Sequence, residues 1–191
     1  MFTLRCTARL RKRLVTTEET ASAPPSTTLG DWYAHLLFTR PQLVLCVSDR
    51  TLLHVLVPAR DGSLLVRRLR EGVGQMLRAL GVGEAAVAEE ENAMLDAVIG
   101  KTMSRQVLGS LNDFVRMLDS YGGDGTLLDV SLRLAETPCG PLQMNSPRNA
   151  TLRAFAGDPW VAATSRFVRR TASSSVLNSR MARCEVVLGV W

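Results

Sequence analysis

The chain has 191 residues, of which 46% are hydrophobic and 21% are charged, and its 23 Lys and Arg against 18 Asp and Glu give a formal net charge of +5. This length and apolar content predict one globular domain and exclude a largely disordered chain. The apolar runs are far shorter than the ~20 residues of a membrane span, so we expect no membrane contact.

The chain begins with a strand pattern that leads into a basic helix. Apolar and polar residues alternate over residues 1–7, which is typical of a half-buried strand, and leucines recur at helical spacing over residues 8–14. Residues 16–28, TTEETASAPPSTT, predict a flexible surface loop because adjacent prolines lie among Thr, Ser and Ala. Five cations precede the first acid of the sequence: Arg5, Arg9, Arg11, Lys12 and Arg13.

The segment after this loop has the pattern of a helix and then a hairpin. Thr28 and Asp31 have the spacing of a capping box, which predicts a helix that ends before Pro41. Such a helix would carry Asp31 and His35 on one face. Residues 42–57 contain two β-rich apolar runs, and we expect an antiparallel hairpin at the centre of the sheet.

Helical patterns dominate the remainder, with one ambiguous segment. A helix is predicted from the turn after Asp61 to Gly81, whereas residues 86–90 fit either a strand or the start of a helix. Further helices are predicted within residues 101–118, 126–137 and 146–155. The fold predicted is therefore α+β, a single domain over residues 1–155 with a small, mainly antiparallel sheet covered by several helices. Residues 156–191 predict a C-terminal appendage, poorly ordered or loosely packed.

The candidate catalytic residues are few. His54 lies in an apolar run and is predicted to be a core residue bonded to the backbone. Asp31 could orient His35 as a general base, and a pocket between that helix and the one carrying Asn112 and Asp113 would make the chain a small enzyme. The sequence GKT at residues 100–102 resembles a phosphate loop, but Leu95 stands where that motif needs a glycine.

One stripe of the helix within residues 101–118 is a candidate binding site. Arg105, Gly109, Asn112 and Arg116 fall on one side at 100° per residue. Two arginines around a glycine could clamp a phosphate or a carboxylate. Alternatively another helix crosses at Gly109, and Asp113 pairs with Arg116 at i, i+3.

The sequence supplies no pattern for a metal or cofactor site. The four cysteines are 40, 93 and 45 residues apart, and two of them lie in apolar runs. We therefore predict reduced cysteines, a cytoplasmic protein, and neither metal nor cofactor. The first residues lack the apolar core of a secretory signal.

Three functions from different classes fit these patterns. The first is an accessory protein that contacts a polyanion, plausibly nucleic acid, through Arg9 to Arg13 together with Arg105 and Arg116. The second is the small enzyme described above. The third is a protein-interaction module without chemistry.

Five segments together resemble an uncharacterised bacterial family known as a domain of unknown function: MFTLRCT, TTLGDWYAHLLFT, QLVLCVSDRTLLHVLVPA, RQVLGSLNDF and LRLAETPCGPL. The resemblance covers about residues 1–155 in the same order. It implies one domain from the N-terminus and a bacterial source, and it supplies no reaction, cofactor or catalytic residue. In that family Asn is usual at His35 and Ser at Gln106, which weakens a catalytic role for His35.

Overall fold

The structure, a computed structural model, describes residues 1–14, 24–120 and 125–157. Its strands are Phe2–Cys6 (β1), Trp32–Leu37 (β2), Leu43–Ser48 (β3), His54–Pro58 (β4) and Ala97–Lys101 (β5). Its α-helices are Ala8–Leu14 (α1), Leu65–Ala79 (α2), Glu84–Ala93 (α3), Arg105–Ser120 (α4), Leu127–Ala135 (α5) and Pro147–Phe155 (α6). Short 3₁₀ turns lie at Gly62–Leu64 and Gly140–Leu142.

The five strands form one sheet in the order β4-β3-β2-β1-β5. β1 is parallel to both β2 and β5, whereas β2, β3 and β4 pair antiparallel and supply the larger share of the paired residues. The α+β prediction is confirmed, and so is the hairpin within residues 42–57. Its expected central position is wrong, because β4 is an edge strand that owes its burial to α2 and α5 packed along it.

The sheet is covered on both faces because side chains alternate along each strand. Trp32 and Leu36 point to one face, where they share a core with α1, α2 and α3. Tyr33 and Leu37 point to the other face, where they share a core with α4, α5 and α6. Each core buries large apolar side chains, which is the main stabilising contribution to the fold.

The helix predicted between Thr28 and Pro41 is wrong, because Trp32–Leu37 is β2. This strand lies in the middle of the sheet with both faces covered, so it is apolar almost throughout and lacks the alternation of a half-buried strand. A short apolar run of this kind fits a helix equally well in the sequence. The capping box is absent too, because the Asp31 carboxylate accepts hydrogen bonds from β1.

The strand considered near residues 86–90 is a helix, and the fifth strand lies later. Glu84–Ala93 is α3, rich in the strong helix formers Ala and Glu. Ala97–Lys101 is β5, paired along its whole length with β1. The sequence did not predict β5, because a five-residue strand gains its hydrogen bonds from a partner about 95 positions away.

The other helices agree with the sequence patterns, and two of them begin with a side-chain cap. Thr126 and Asp129 form a complete capping box at α5, and the Ser146 hydroxyl accepts the Asn149 N–H at the start of α6, where Pro147 is the first residue. α4 covers the helix predicted within residues 101–118. In the described part of the chain, no helix combines the length and apolarity needed to cross a membrane.

Two predicted segments lie partly or wholly outside the described residues. The loop over residues 16–28 is described only from Pro24 onward, and the appendage over residues 156–191 is described only to Gly157. Their predictions stay predictions.

Candidate functional site

The strands place four chain segments at one edge of the sheet. Cys6 is level with Ala34 and Lys101, and Leu43 is level with both Leu37 and Pro58. The strands β1, β2, β4 and β5 therefore all have their C-terminal ends where β3 begins. We call this row of strand ends the edge, as distinct from the lateral edge strand β4. The segments that follow them, including α1 and the loop over residues 38–42, meet there.

This edge is rich in cations. Residues 1–14 and 32–48 contain no acid, and the α1 side chains at positions 9, 12 and 13 lie on one stripe of that helix. The guanidinium of Arg13 donates a hydrogen bond to the side-chain carbonyl of Gln42, which ties α1 to the loop over residues 38–42. Among the described residues, Asp61 is an acid that follows β4 at this edge, and its carboxylate accepts the Ser63 hydroxyl. We call the cations Arg9, Lys12, Arg13 and Arg40 the basic edge.

An exposed aromatic ring lies within the basic edge. Phe38, the first residue after β2, is 66% exposed. The Arg9 guanidinium carbon lies 5.3 Å from the centre of its ring, which is a cation–π contact. Because the ring is accessible and lies beside a cation, Phe38 is a candidate contact residue of this surface.

A cavity of about 260 Å³ opens beside this ring, between the end of β2 and the last turns of α4. We call it the Phe38 pocket; it is lined by His35, Leu36, Leu37, Phe38, Thr39, Val115 and Leu118. His35 is half-buried there. Burial, and secondarily the Arg9 charge, lower the pKa of His35, so its ring is neutral near pH 7.

The stripe on α4 lies in solvent. Arg105, Gly109, Asn112 and Arg116 are all exposed. Among the described residues no helix crosses at Gly109, because a side chain added there would meet none of their atoms within 4 Å outside its own helix. The expected i, i+3 pair does form, with Arg116 Nη1 3.6 Å from Asp113 Oδ1.

The pocket predicted between the Asp31/His35 helix and the α4 residues Asn112 and Asp113 does not form in that way. Asp31 and His35 are on an extended segment, so about 13 Å of strand separates them and they cannot hydrogen-bond. Asn112 and Asp113 lie on the exposed side of α4. Only His35 of these four lines the Phe38 pocket.

The carboxylate of Asp31 is already fully engaged. Oδ1 accepts the Thr3 N–H at 2.9 Å, and Oδ2 accepts Arg5 Nη2 at 2.7 Å and Arg5 Nε at 3.1 Å. The Asp31 N–H in turn donates to Asp49 Oδ1 at 3.0 Å. Arg5 therefore belongs to an internal ion pair, and it is not part of the cationic surface that the N-terminal cluster suggested.

His54 is a core residue, as predicted. It is fully buried, its Nδ1 lies 3.3 Å from the Leu52 carbonyl and its Nε2 3.2 Å from the Ser131 carbonyl, and its ring packs on Phe114. Burial lowers the pKa of His54 from the usual 6.5 to about 4. The hydrogen bonds to the Leu52 and Ser131 carbonyls favour the protonated ring and offset only part of this effect. The ring is therefore neutral at physiological pH.

His54 should make the protein less stable in mild acid. Between pH 6.5 and pH 4 the unfolded chain binds a proton at this residue and the folded chain does not, so stability falls as the pH decreases through that window. We expect the free energy of unfolding to be about 2 kcal/mol lower at pH 5 than at pH 7.5. Urea unfolding of the wild type and of His54→Phe at both pH values checks this, and equal pH slopes in the two proteins would contradict it.

The described cysteines do not form a reactive site. Cys6, Cys46 and Cys139 are free and buried, and burial raises the pKa of each thiol. Protonated thiols of this kind are poor nucleophiles. Within residues 1–14, 24–120 and 125–157, no group of three His, Cys, Asp or Glu side chains could hold a metal ion.

Sequence reasoning found Arg9 and Arg13 but missed Phe38. The available signal was the run Phe-Thr-Arg-Pro directly after an apolar segment, which puts an aromatic residue beside Arg40 in a turn. This run indicates an exposed ring only if the preceding segment is the strand β2. The helix predicted to end before Pro41 would have placed Phe38 in its last turn.

Comparison with known proteins gives one match. The model of a family described as "Domain of unknown function (DUF6933)" matches residues 3–150. No curated protein and no solved structure matches the chain. The matched range includes all of the sheet except Phe2, the first residue of β1, and ends within α6.

Proposed function

Because the chain belongs to the domain-of-unknown-function family DUF6933, whose description names no activity, we propose from the site itself that this protein binds a polyanion, namely nucleic acid, through the basic edge. The observation that carries the proposal is the exposed Phe38 ring beside Arg9, on an edge to which residues 1–14 and 32–48 contribute cations and no acid. Cations that follow a phosphate backbone, interleaved with an aromatic ring, are the usual composition of a nucleic-acid surface.

The α4 stripe extends this surface in the proposal. Val115 and Leu118, which flank Arg116 on α4, line the Phe38 pocket, so Arg116 is within one helical turn of it. Arg116 is 82% exposed, and its contact with Asp113 is the weak kind of surface pair that a phosphate can displace. Arg105 is eleven residues earlier, about 16 Å along the helix, and would contact a more distant phosphate.

We place this function in the cytoplasm of a bacterial cell as part of the proposal. Support comes from Cys6, Cys46 and Cys139, which are free thiols with no disulfide between them. Unpaired cysteines of this kind are typical of a reducing compartment.

The proposal predicts strongly salt-dependent binding. With about four phosphate contacts to a single strand, the slope of log K against log[salt] is near −3, so affinity falls about 50-fold between 50 and 200 mM KCl. In Arg9→Ala/Arg13→Ala we expect the slope to drop to about half of that value. Fluorescence anisotropy with a labelled 12-nucleotide single strand of mixed sequence measures both.

The control removes the same charge from elsewhere on the surface. The double variant Arg67→Ala/Arg148→Ala changes one arginine of α2 and one of α6, which pair with Glu71 and Glu136. We expect this variant to keep nearly the wild-type slope. Equal losses in the two double variants would assign the binding to net charge alone, and binding that ignores salt would overturn the proposal.

A further inference from the structure

Resting on the proposed function, we infer that the Phe38 pocket receives one unpaired nucleobase, so that the site selects single-stranded nucleic acid. The phosphates of that strand lie on the basic edge. The pocket thus supplies a contact to the base, which the cations alone cannot supply.

The size of the cavity fits one ring system. Its volume of about 260 Å³ is just below the ~300–1,000 Å³ typical of sites for drug-sized ligands. Leu37, Val115 and Leu118 give the cavity aliphatic walls, and the exposed Phe38 also lines it. A flat, largely apolar group is the natural occupant, because aromatic side chains stack on bases in single-strand sites.

The charge around the cavity explains why the ring should belong to a nucleotide. Arg9 contacts the Phe38 ring that lines the pocket, and Arg116 is within one turn of the pocket's α4 wall. A base held against Phe38 would therefore bring its own phosphate close to a guanidinium. An apolar peptide side chain offers no such group, so the surrounding cations favour the nucleotide.

Two polar groups at the pocket can contact the edge of a base. No residue of the described ranges hydrogen-bonds to the His35 ring, whose neutral form offers one donor and one acceptor. The Thr39 hydroxyl donates to the Pro41 carbonyl at 2.7 Å, which leaves its oxygen available as an acceptor. A base in a duplex is stacked between its neighbours and cannot reach either group.

Three labelled ligands of equal length test the inference: a mixed-sequence single strand, an abasic strand with the same sugar-phosphate backbone, and a duplex. In anisotropy titrations at 100 mM KCl we expect the wild type to bind the single strand about tenfold more tightly than either of the others, since one stacked base contributes ~1–3 kcal/mol. Phe38→Ala should bind all three ligands equally. Phe38→Tyr should restore the preference, whereas Phe38→Leu, which is apolar but not planar, should not.

The outcomes separate this inference from the proposed function. If the abasic strand binds as well as the single strand, or if Phe38→Ala weakens all three ligands alike, the base pocket is wrong and the polyanion surface stands. If none of the three ligands binds, both are wrong. Because Phe38 is exposed, we expect its variants to fold as the wild type does, and circular dichroism of each variant checks this.

Discussion

Replacing Asp31 with alanine is expected to lower the free energy of unfolding by about 4 kcal/mol. The carboxylate of Asp31 holds the Thr3 N–H and both the Nε and Nη2 groups of Arg5. The side chains of Arg5 and Asp31 are only 19% and 9% exposed. Without Asp31, a buried backbone donor and a largely buried guanidinium both lose their partner, and water cannot fully replace it.

Urea unfolding at pH 7 measures this loss against a control of the same chemistry. Glu71→Ala removes one partner of an exposed ion pair with Arg67, at 3.5 Å and more than half exposed on both sides. We expect that change to lower the free energy of unfolding by less than about 1 kcal/mol. A loss at Asp31 no larger than the loss at Glu71 would refute the internal role of the Arg5 pair.

Replacing Gly30 with alanine is expected to lower the free energy of unfolding by about 3 kcal/mol. Gly30 has a φ of +80°, a backbone conformation that residues other than glycine rarely adopt. A Cβ at this position would also lie 2.1 Å from Asp49 Oδ1. Because that oxygen accepts the Asp31 N–H, moving it away would break a hydrogen bond of the same network.

Gly81→Ala is the matched control because it separates these two effects. Gly81 has φ +86, and a Cβ there would meet no atom within 4 Å. Its substitution should therefore lower stability only by the backbone preference, about 1 kcal/mol. If thermal or urea unfolding gives equal losses for the two variants, the close approach to Asp49 contributes nothing.

Both predictions concern the end of the sheet opposite to the basic edge. Asp31 precedes β2 and Asp49 follows β3, whereas Phe38 and Arg40 lie beyond the other end of β2. Variants of the Asp31 network that still fold should therefore keep the nucleic-acid binding of the wild type. Stability and binding can be altered separately in this protein.

The hairpin, the capped helices and the core histidine followed from local patterns. The helices predicted within residues 126–137 and 146–155 are α5 and α6, and their first residues, Thr126 with Asp129 and Ser146 with Pro147, are local features of the sequence. These features are visible in the sequence because a cap is satisfied within three residues of itself. The character of His54 followed likewise from the apolar run around it.

Only part of the candidate site could be predicted from the sequence, because the remainder depends on residues that are far apart along the chain. Arg9 and Arg13 could be identified as cations of a helix, but whether a cation faces an acidic partner is a tertiary property. Arg5 has the same sequence context and is neutralised by Asp31, 26 positions away. The run Phe-Thr-Arg-Pro after an apolar segment was the one local signal for Phe38, and it could be interpreted only once β2 was known to be a strand.

The sequence by itself determined the α+β class, the hairpin and most helices, because periodicity and capping act over a few residues. The tertiary structure decided that residues 32–37 and 97–101 are strands, because β2 pairs with both β1 and β3, and β5 gains its hydrogen bonds from β1, about 95 positions away. It also decided which arginines remain at the surface. Only the meeting of β2, α1 and α4 brings Phe38, Arg9 and the pocket together, and a short apolar run cannot encode that arrangement locally.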